Sequence, residues 1–261
     1  MLTWCIITAF IFGLIYGSFL NVVILRWDDW MSIMMSRSKC PNCKTQLKWY
    51  DLIPIVSFLS ISGKCRYCQK PVSWQYPVVE LVTALLVVLG YTFFFPAIGD
   101  VTLIVISFVA YLVVIGLMVT VFFHDLYEML VPDLMAYILL FVAIILGVSL
   151  YGWQPTLYGL LVGVLPIALL VYPSKGTWMG EGDIKIAAAL GAFVGYPGAI
   201  TYMALAFLIG GVYGMLAMIF KRVKFRTAVP FAPFMIIAAV TTFFYGEKIV
   251  SWYMRVFGYG L

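Results

Sequence analysis

Gly180-Glu181-Gly182-Asp183 opens onto the apolar segment Ile184–Val194 and stands between two long hydrophobic runs. From Ile186 to Phe220 the chain carries no charged residue, a stretch of 35 residues. One ordinary membrane helix needs about 20. Gly195-Tyr196-Pro197-Gly198 is a turn signal inside the stretch. The run therefore divides into a short helix, Ile184–Val194, and a longer one near Ala199–Phe220. A carboxylate at the edge of a membrane segment, framed by two glycines, is costly to place there and reads as functional.

The rest of the chain agrees with a membrane setting. Of 261 residues, 64% are hydrophobic and 10% charged, against about 25% charged in a soluble domain; the mean hydropathy is +1.07. The apolar stretches are continuous rather than alternating, which excludes a β-barrel. Met1–Ile24 has no basic residue before it and no evident small-residue cleavage site, so it reads as a retained first helix rather than a signal peptide. The expectation is an all-α polytopic membrane protein with about eight transmembrane helices. They fall near residues 2–25, 77–95, 101–123, 134–151, 156–172, 184–194, 199–220 and 229–245. The aromatic tail Gly246–Leu261 is expected to lie along the interface. Residues 26–76 form a small polar module after the first helix, and 77–261 the membrane core.

The basic residues orient these spans. With the N-terminus outside, 14 of the 16 Lys and Arg residues lie in or beside the cytoplasmic loops, and only Lys248 and Arg255 fall outside. This places the loop bearing Asp125 and the loop bearing Asp183 at the same cytoplasmic face.

Cys40-Pro-Asn-Cys43 and Cys65-Arg-Tyr-Cys68 are two CxxC pairs within the polar module. Four thiolates at this spacing suit a tetrahedral zinc site. Two disulfides are the competing reading, disfavoured for a loop facing a reducing cytoplasm. A module of about 50 residues has little core of its own, and a structural metal would help it fold. Its lysines and arginines suit the anionic inner leaflet better than nucleic acid, which is not expected as a partner.

Asp125, Glu128, Asp133, Glu181 and Asp183 gather in the loops at the cytoplasmic face. Asp133 follows Pro132 and opens an apolar run, the position of a helix N-cap. Glu128 and Glu181 read as solvated loop charges. Asp183 could cap the short helix, but Gly180 and Gly182 clear side chains from the backbone beside it, as an extended substrate would require. Lys185 and the run Ala187-Ala188-Ala189 permit tight packing against another helix. Paired carboxylates at a low-dielectric boundary share a proton and can hydrolyse a peptide without metal. A proton or cation relay in a small transporter is the alternative, but that would place the acids at mid-membrane.

The motifs resemble one family. Gly17–Arg26, Ser36–Cys43, Trp49–Ser57, Gly63–Cys68, Tyr76–Glu80, Asp125 with Val131-Pro-Asp133, Gly180–Lys185 and Val229–Phe234 follow, in order, the pattern of bacterial prepilin leader peptidases, membrane aspartic proteases of the GxGD type. The resemblance implies Asp125 and Asp183 as the catalytic pair, supported by Gly180, Gly182 and Lys185. It implies cleavage of the leader of type IV prepilin or pseudopilin substrates at the cytoplasmic face of the bacterial inner membrane. It further implies N-methylation of the new N-terminus with S-adenosylmethionine, tied to the cysteine module. His124 stands where the family often has an apolar residue.

Overall fold

The computed structural model describes residues 2–95, 100–220 and 229–256. The expected basic loop Lys221–Arg226 lies outside the described residues, as does the end of the C-terminal tail. Among those described there are helices and turns but no strand. The chain divides into two compact units, Met1–Ile98 and Gly99–Leu261. Among the described residues, seven helices are long and apolar enough to cross a membrane.

In the first unit, α1 (Leu2–Leu25) packs against α4 (Gln75–Phe94). The approach is close because α1 offers small residues: a Cβ on Gly17 would lie 2.7 Å from Glu80 Cα, and one on Gly13 would meet the Ala84 backbone. Gly13 faces Ala84, Gly17 faces Glu80, and Asn21 Nδ2 donates to Tyr76 O at 3.2 Å. The two helices therefore run antiparallel. Between them come two short helices, α2 (Trp30–Met35) and α3 (Val56–Ser60), a 3₁₀ turn at Trp49–Leu52, and two tight turns that carry the cysteines.

Those turns repeat one backbone. Cys40 N–H donates to Thr45 O, and Lys44 N–H to Cys40 O; Cys65 N–H donates to Lys70 O, and Gln69 N–H to Cys65 O. Lys44 and Gln69 share a φ of +59°. Antiparallel bridges Lys39–Gln46 and Lys64–Pro71 close the two turns.

The second unit is built around the shortest of its helices. Helix α8 (Glu181–Val194) touches α6 (Asp133–Tyr151), α7 (Trp153–Ser174), α9 (Gly198–Ile219) and α10 (Ala232–Val256). Every residue from Ile186 to Val194 is buried. Its alanines and Gly191 allow this: a Cβ on Gly159 or Gly163 of α7 would strike the backbone of Gly191 or Ala187, and one on Gly147 of α6 the carbonyl of Ala192. Phe193 stacks on Phe243 of α10 at 4.5 Å, and Phe243 on Tyr111 of α5 (Val101–Glu128) at 6.0 Å. With 14 residues, α8 spans about 21 Å, short of the roughly 30 Å hydrocarbon layer. It is the expected short helix, and it ends at the expected turn, with Gly195 at φ +69°.

Two expected boundaries shift. Helix α5 runs on to Glu128 instead of stopping near Phe123, because no glycine or proline intervenes before Pro132. Asp125 and His124 therefore sit on a helix, not in a loop. Helix α10 continues through Gly246 to Val256, so the first part of the supposed interfacial tail is helical; one glycine is not enough to stop a helix.

Candidate active site

Asp125 lies in the last turn of α5 and is 5% exposed. The Ala232 N–H, at the start of α10, donates to its carboxylate. The other oxygen, Oδ2, is buried without a hydrogen-bond partner. A buried carboxylate oxygen left unpaired is expensive in a structural role; in an active site it is available to a reacting group. Ala232 belongs to the Val229–Phe234 motif, so the backbone of that late segment forms part of this site.

Asp183 is the third residue of α8. Its Oδ2 accepts from the Gly180 N–H at 3.2 Å. This is the N3 half of a capping box: the carboxylate reaches back to the residue that precedes the helix. Asp183 thus supports the helix start, from N3 rather than from the cap position, which Gly180 holds. It is half-buried, and near enough to Asp125 for the two charges to act on one another. Tyr202 of α9 is fully buried and donates to Met235 Sδ at 3.8 Å.

The two segments are joined below the carboxylates. Met129 ends α5 in the left-handed region (φ +50°), and His124 Nδ1 bonds Leu130 O at 2.9 Å, folding 129–132 back. This presents Val131 to Gly182, where a Cβ would meet Val131 Cβ at 3.4 Å, an ordinary contact. Lys185 pairs with Asp133 Oδ1 and lies over the Tyr137 ring at 5.0 Å. Asp133 is not the expected N-cap: Pro132 takes that position with φ −61°, and the Asp133 side chain is free to reach α8. Neither Gly180 nor Gly182 has positive φ. Within 4 Å a Cβ on Gly180 would meet only Asp183 Oδ2 and the Gly182 nitrogen. The glycines leave space rather than permit a strained backbone.

In the first unit, Cys40, Cys43, Cys65 and Cys68 bring four Sγ atoms within 4.8 Å of one another. No disulfide joins them; Cys40 and Cys68 Sγ are 3.9 Å apart. Tetrahedral thiolate coordination at about 2.3 Å requires sulfur separations of roughly 3.8 Å, so a small inward adjustment completes a metal site. Hydrogen bonds from the Thr45 side chain and backbone draw the Cys43 thiol down to about 6. At Cys68 the Lys70 backbone hydrogen bond is outweighed by burial and the other three sulfurs, which push that thiol up to about 11; a metal would supply the positive charge that lets all four ionise.

Asp51 ties the 3₁₀ turn at Trp49–Leu52 to the second cysteine turn, a role the sequence did not announce. It accepts from Lys48 N–H at 3.1 Å, Arg66 Nε at 3.0 Å and Tyr67 Oη at 3.0 Å. Burial pushes its carboxyl up, but these donors outweigh it and hold the group below the usual carboxylate range. Glu80, which closes the Tyr76–Glu80 motif, is 6% exposed and accepts the Ile55 N–H at 2.8 Å.

A bundle of membrane-length helices with two carboxylates converging at one end has the make-up of a multi-pass membrane peptidase. Residues 11–94 match the Bacterial Peptidase A24 N-terminal domain, and residues 112–215 the Type IV leader peptidase family. The chain is 35% identical over 249 residues to a prepilin leader peptidase/N-methyltransferase of Bacillus subtilis, covering 95% of this chain and 97% of that one. Proteins of the same description from Xanthomonas campestris (32% over 276 residues; 94% and 93% covered) and Aeromonas salmonicida (31% over 278; 94% and 92%) are similar along nearly their whole length. The chain belongs to the prepilin leader peptidase/N-methyltransferase family. No solved structure matches it.

Proposed function

We propose that this chain is an aspartic endopeptidase of the bacterial inner membrane that removes the leader of type IV prepilin-like proteins and N-methylates the exposed amine. The observation that carries the peptidase reading is Asp125, buried with an unpaired oxygen and within electrostatic reach of Asp183. Two such groups share a proton and titrate as a unit. One backbone amide donates to each carboxylate, Gly180 to Asp183 and Ala232 to Asp125, so the single negative charge belongs to the pair. The ionised partner takes a proton from water as the oxygen attacks the scissile carbonyl. The protonated partner delivers its proton to the developing tetrahedral centre. Gly180 leaves room for the substrate backbone beside Asp183, Gly182 lets Val131 pack close, and Lys185 holds that segment in place.

Zinc is the metal that four closely spaced thiolates select. Cys40, Cys43, Cys65 and Cys68 would hold it as a structural ion in the module 26–76. S-adenosylmethionine supplies a methyl group to the new N-terminal amine. The count of basic residues orients the N-terminus outside and the Asp125 and Asp183 turns toward the cytoplasm, where a short basic leader is reachable.

Mass spectrometry of a candidate pilin's N-terminus, from cells with and without this protein, tests both activities together. The expected product lacks the leader and carries one added methyl group. An uncut leader in the presence of the protein overturns the peptidase reading, and a cut but unmethylated product the methyltransferase reading.

A further inference from the structure

The first unit holds a partly open cavity of about 960 Å³ between the second half of α1, the cysteine turns, the 51–61 segment and the start of α4. Its volume is that of a cofactor site, and every lining residue belongs to this unit. Two buried side chains give it a strongly polar pole. Glu80, 6% exposed, accepts from the Ile55 amide and the Ser18 hydroxyl, with no cation paired to it among the described residues. Asn21, 2% exposed, spends its amide group on the carbonyls of Gly17 and Tyr76; its Oδ1 is buried without a partner. A carboxylate and an amide oxygen, both withdrawn from water and lacking a positive partner, call for a cationic ligand.

The wall beside Glu80 is held in a costly conformation. Ile55 has φ +58° and ψ −50°, and Val56 N–H donates to Pro54 O across it. That is a γ-turn of positive φ, rare and strained, at a β-branched residue that ordinarily avoids this region. The Ile55 amide is the one that Glu80 accepts, so the carboxylate fixes the strained turn against the cavity. Strain of this kind gathers at ligand clamps. The remaining lining is mixed: Phe58 and Tyr76 offer aromatic surface, while Lys39, Lys44 and Lys70 supply positive charge. Negative pole, aromatic wall and lysines match the three parts of S-adenosylmethionine: a cationic amino and sulfonium end, a planar base and a carboxylate.

We propose that this cavity is the binding site of the methyl donor, with Glu80 the partner of its positive charge and Asn21 Oδ1 a second acceptor. The inference rests on the methyltransferase reading above and locates that activity in the first unit. The test uses full-length, zinc-loaded protein in detergent, equilibrium dialysis against radiolabelled S-adenosylmethionine, and ultraviolet crosslinking followed by peptide mapping. Wild type should bind saturably, with S-adenosylhomocysteine competing. Glu80→Gln should weaken binding about tenfold or more. Ser57→Trp, which fills the cavity from a different wall, should do the same, and it decides the matter if Glu80→Gln fails to retain zinc. Crosslinked label should fall on peptides within residues 15–80. Unchanged affinity in a zinc-retaining variant, or label confined to residues 99–261, overturns the cavity assignment while leaving methylation standing. A wild-type protein that neither binds the donor nor methylates a cleaved prepilin overturns both.

Discussion

Lys185 on α8 forms an ion pair with Asp133 at the first position of α6. The pair spans the two segments that flank the proposed catalytic carboxylates. Asp133 is 69% exposed at its side chain, so the pair should contribute less than about 1 kcal/mol to stability. Its effect should instead appear in alignment. Lys185→Met is expected to lower leader cleavage about three- to tenfold with little change in melting temperature. The exchanged pair, Lys185→Asp with Asp133→Lys, should recover part of the loss. Equal loss in the exchanged pair would show that contact between opposite charges is not what matters.

Asp125→Asn and Asp183→Asn are each expected to reduce cleavage about a thousandfold or more, and the double variant no further, because members of a catalytic unit are not additive. Membrane insertion and zinc content serve as controls. A double variant much slower than either single one would contradict the shared-proton mechanism.

Glycines of two kinds should respond in opposite ways. An alanine at Gly180 meets only Asp183 Oδ2 and the Gly182 nitrogen within 4 Å, so Gly180→Ala should leave thermal stability unchanged while slowing cleavage. Gly163→Ala drives a methyl into the Ala187 backbone of α8 and should cost about 1–3 kcal/mol. Thermal melts and cleavage rates of the two variants separate substrate clearance from helix packing.

The cysteine module should lose its metal on Cys→Ser change at 40, 43, 65 or 68, with methylation falling more than cleavage. Asp51 offers a finer probe. Its carboxyl sits below the ordinary range when folded, so its contribution is present above the unfolded carboxylate pKa and fades as pH falls through the folded value. Relative to wild type, Asp51→Asn should be destabilised by about 2 kcal/mol near neutral pH, a gap that narrows under acid. A gap that widened in acid would invert the assigned sign.

Much of this was legible in the sequence. The cysteine spacing, the glycine-framed Asp183 and the turn at 195–198 each carry a local chemical reason that does not depend on the rest of the fold. Asp125 was found, but its setting was not. A run of helix-compatible residues does not say where a helix stops, and only the structure carries α5 past it. Asp133 looked like a cap because capping is a local rule, while its partner Lys185 lies 52 positions away. Asp51 and Glu80 fall inside quoted motifs, Trp49–Ser57 and Tyr76–Glu80, yet their organising roles were missed for the same reason: their partners are gathered by folding.

Helix α8 is enclosed by its neighbours from Ile186 onward, and its backbone should therefore exchange hydrogen among the slowest in the unit. Asp183 is attached to that rigid rod one turn from its sealed part. Asp125 rides the last turn of α5, itself buried and held by the Ala232 amide of α10. Each carboxylate is thus fastened to a packed helix, and under the proposed mechanism a substrate must fit a gap that is already set.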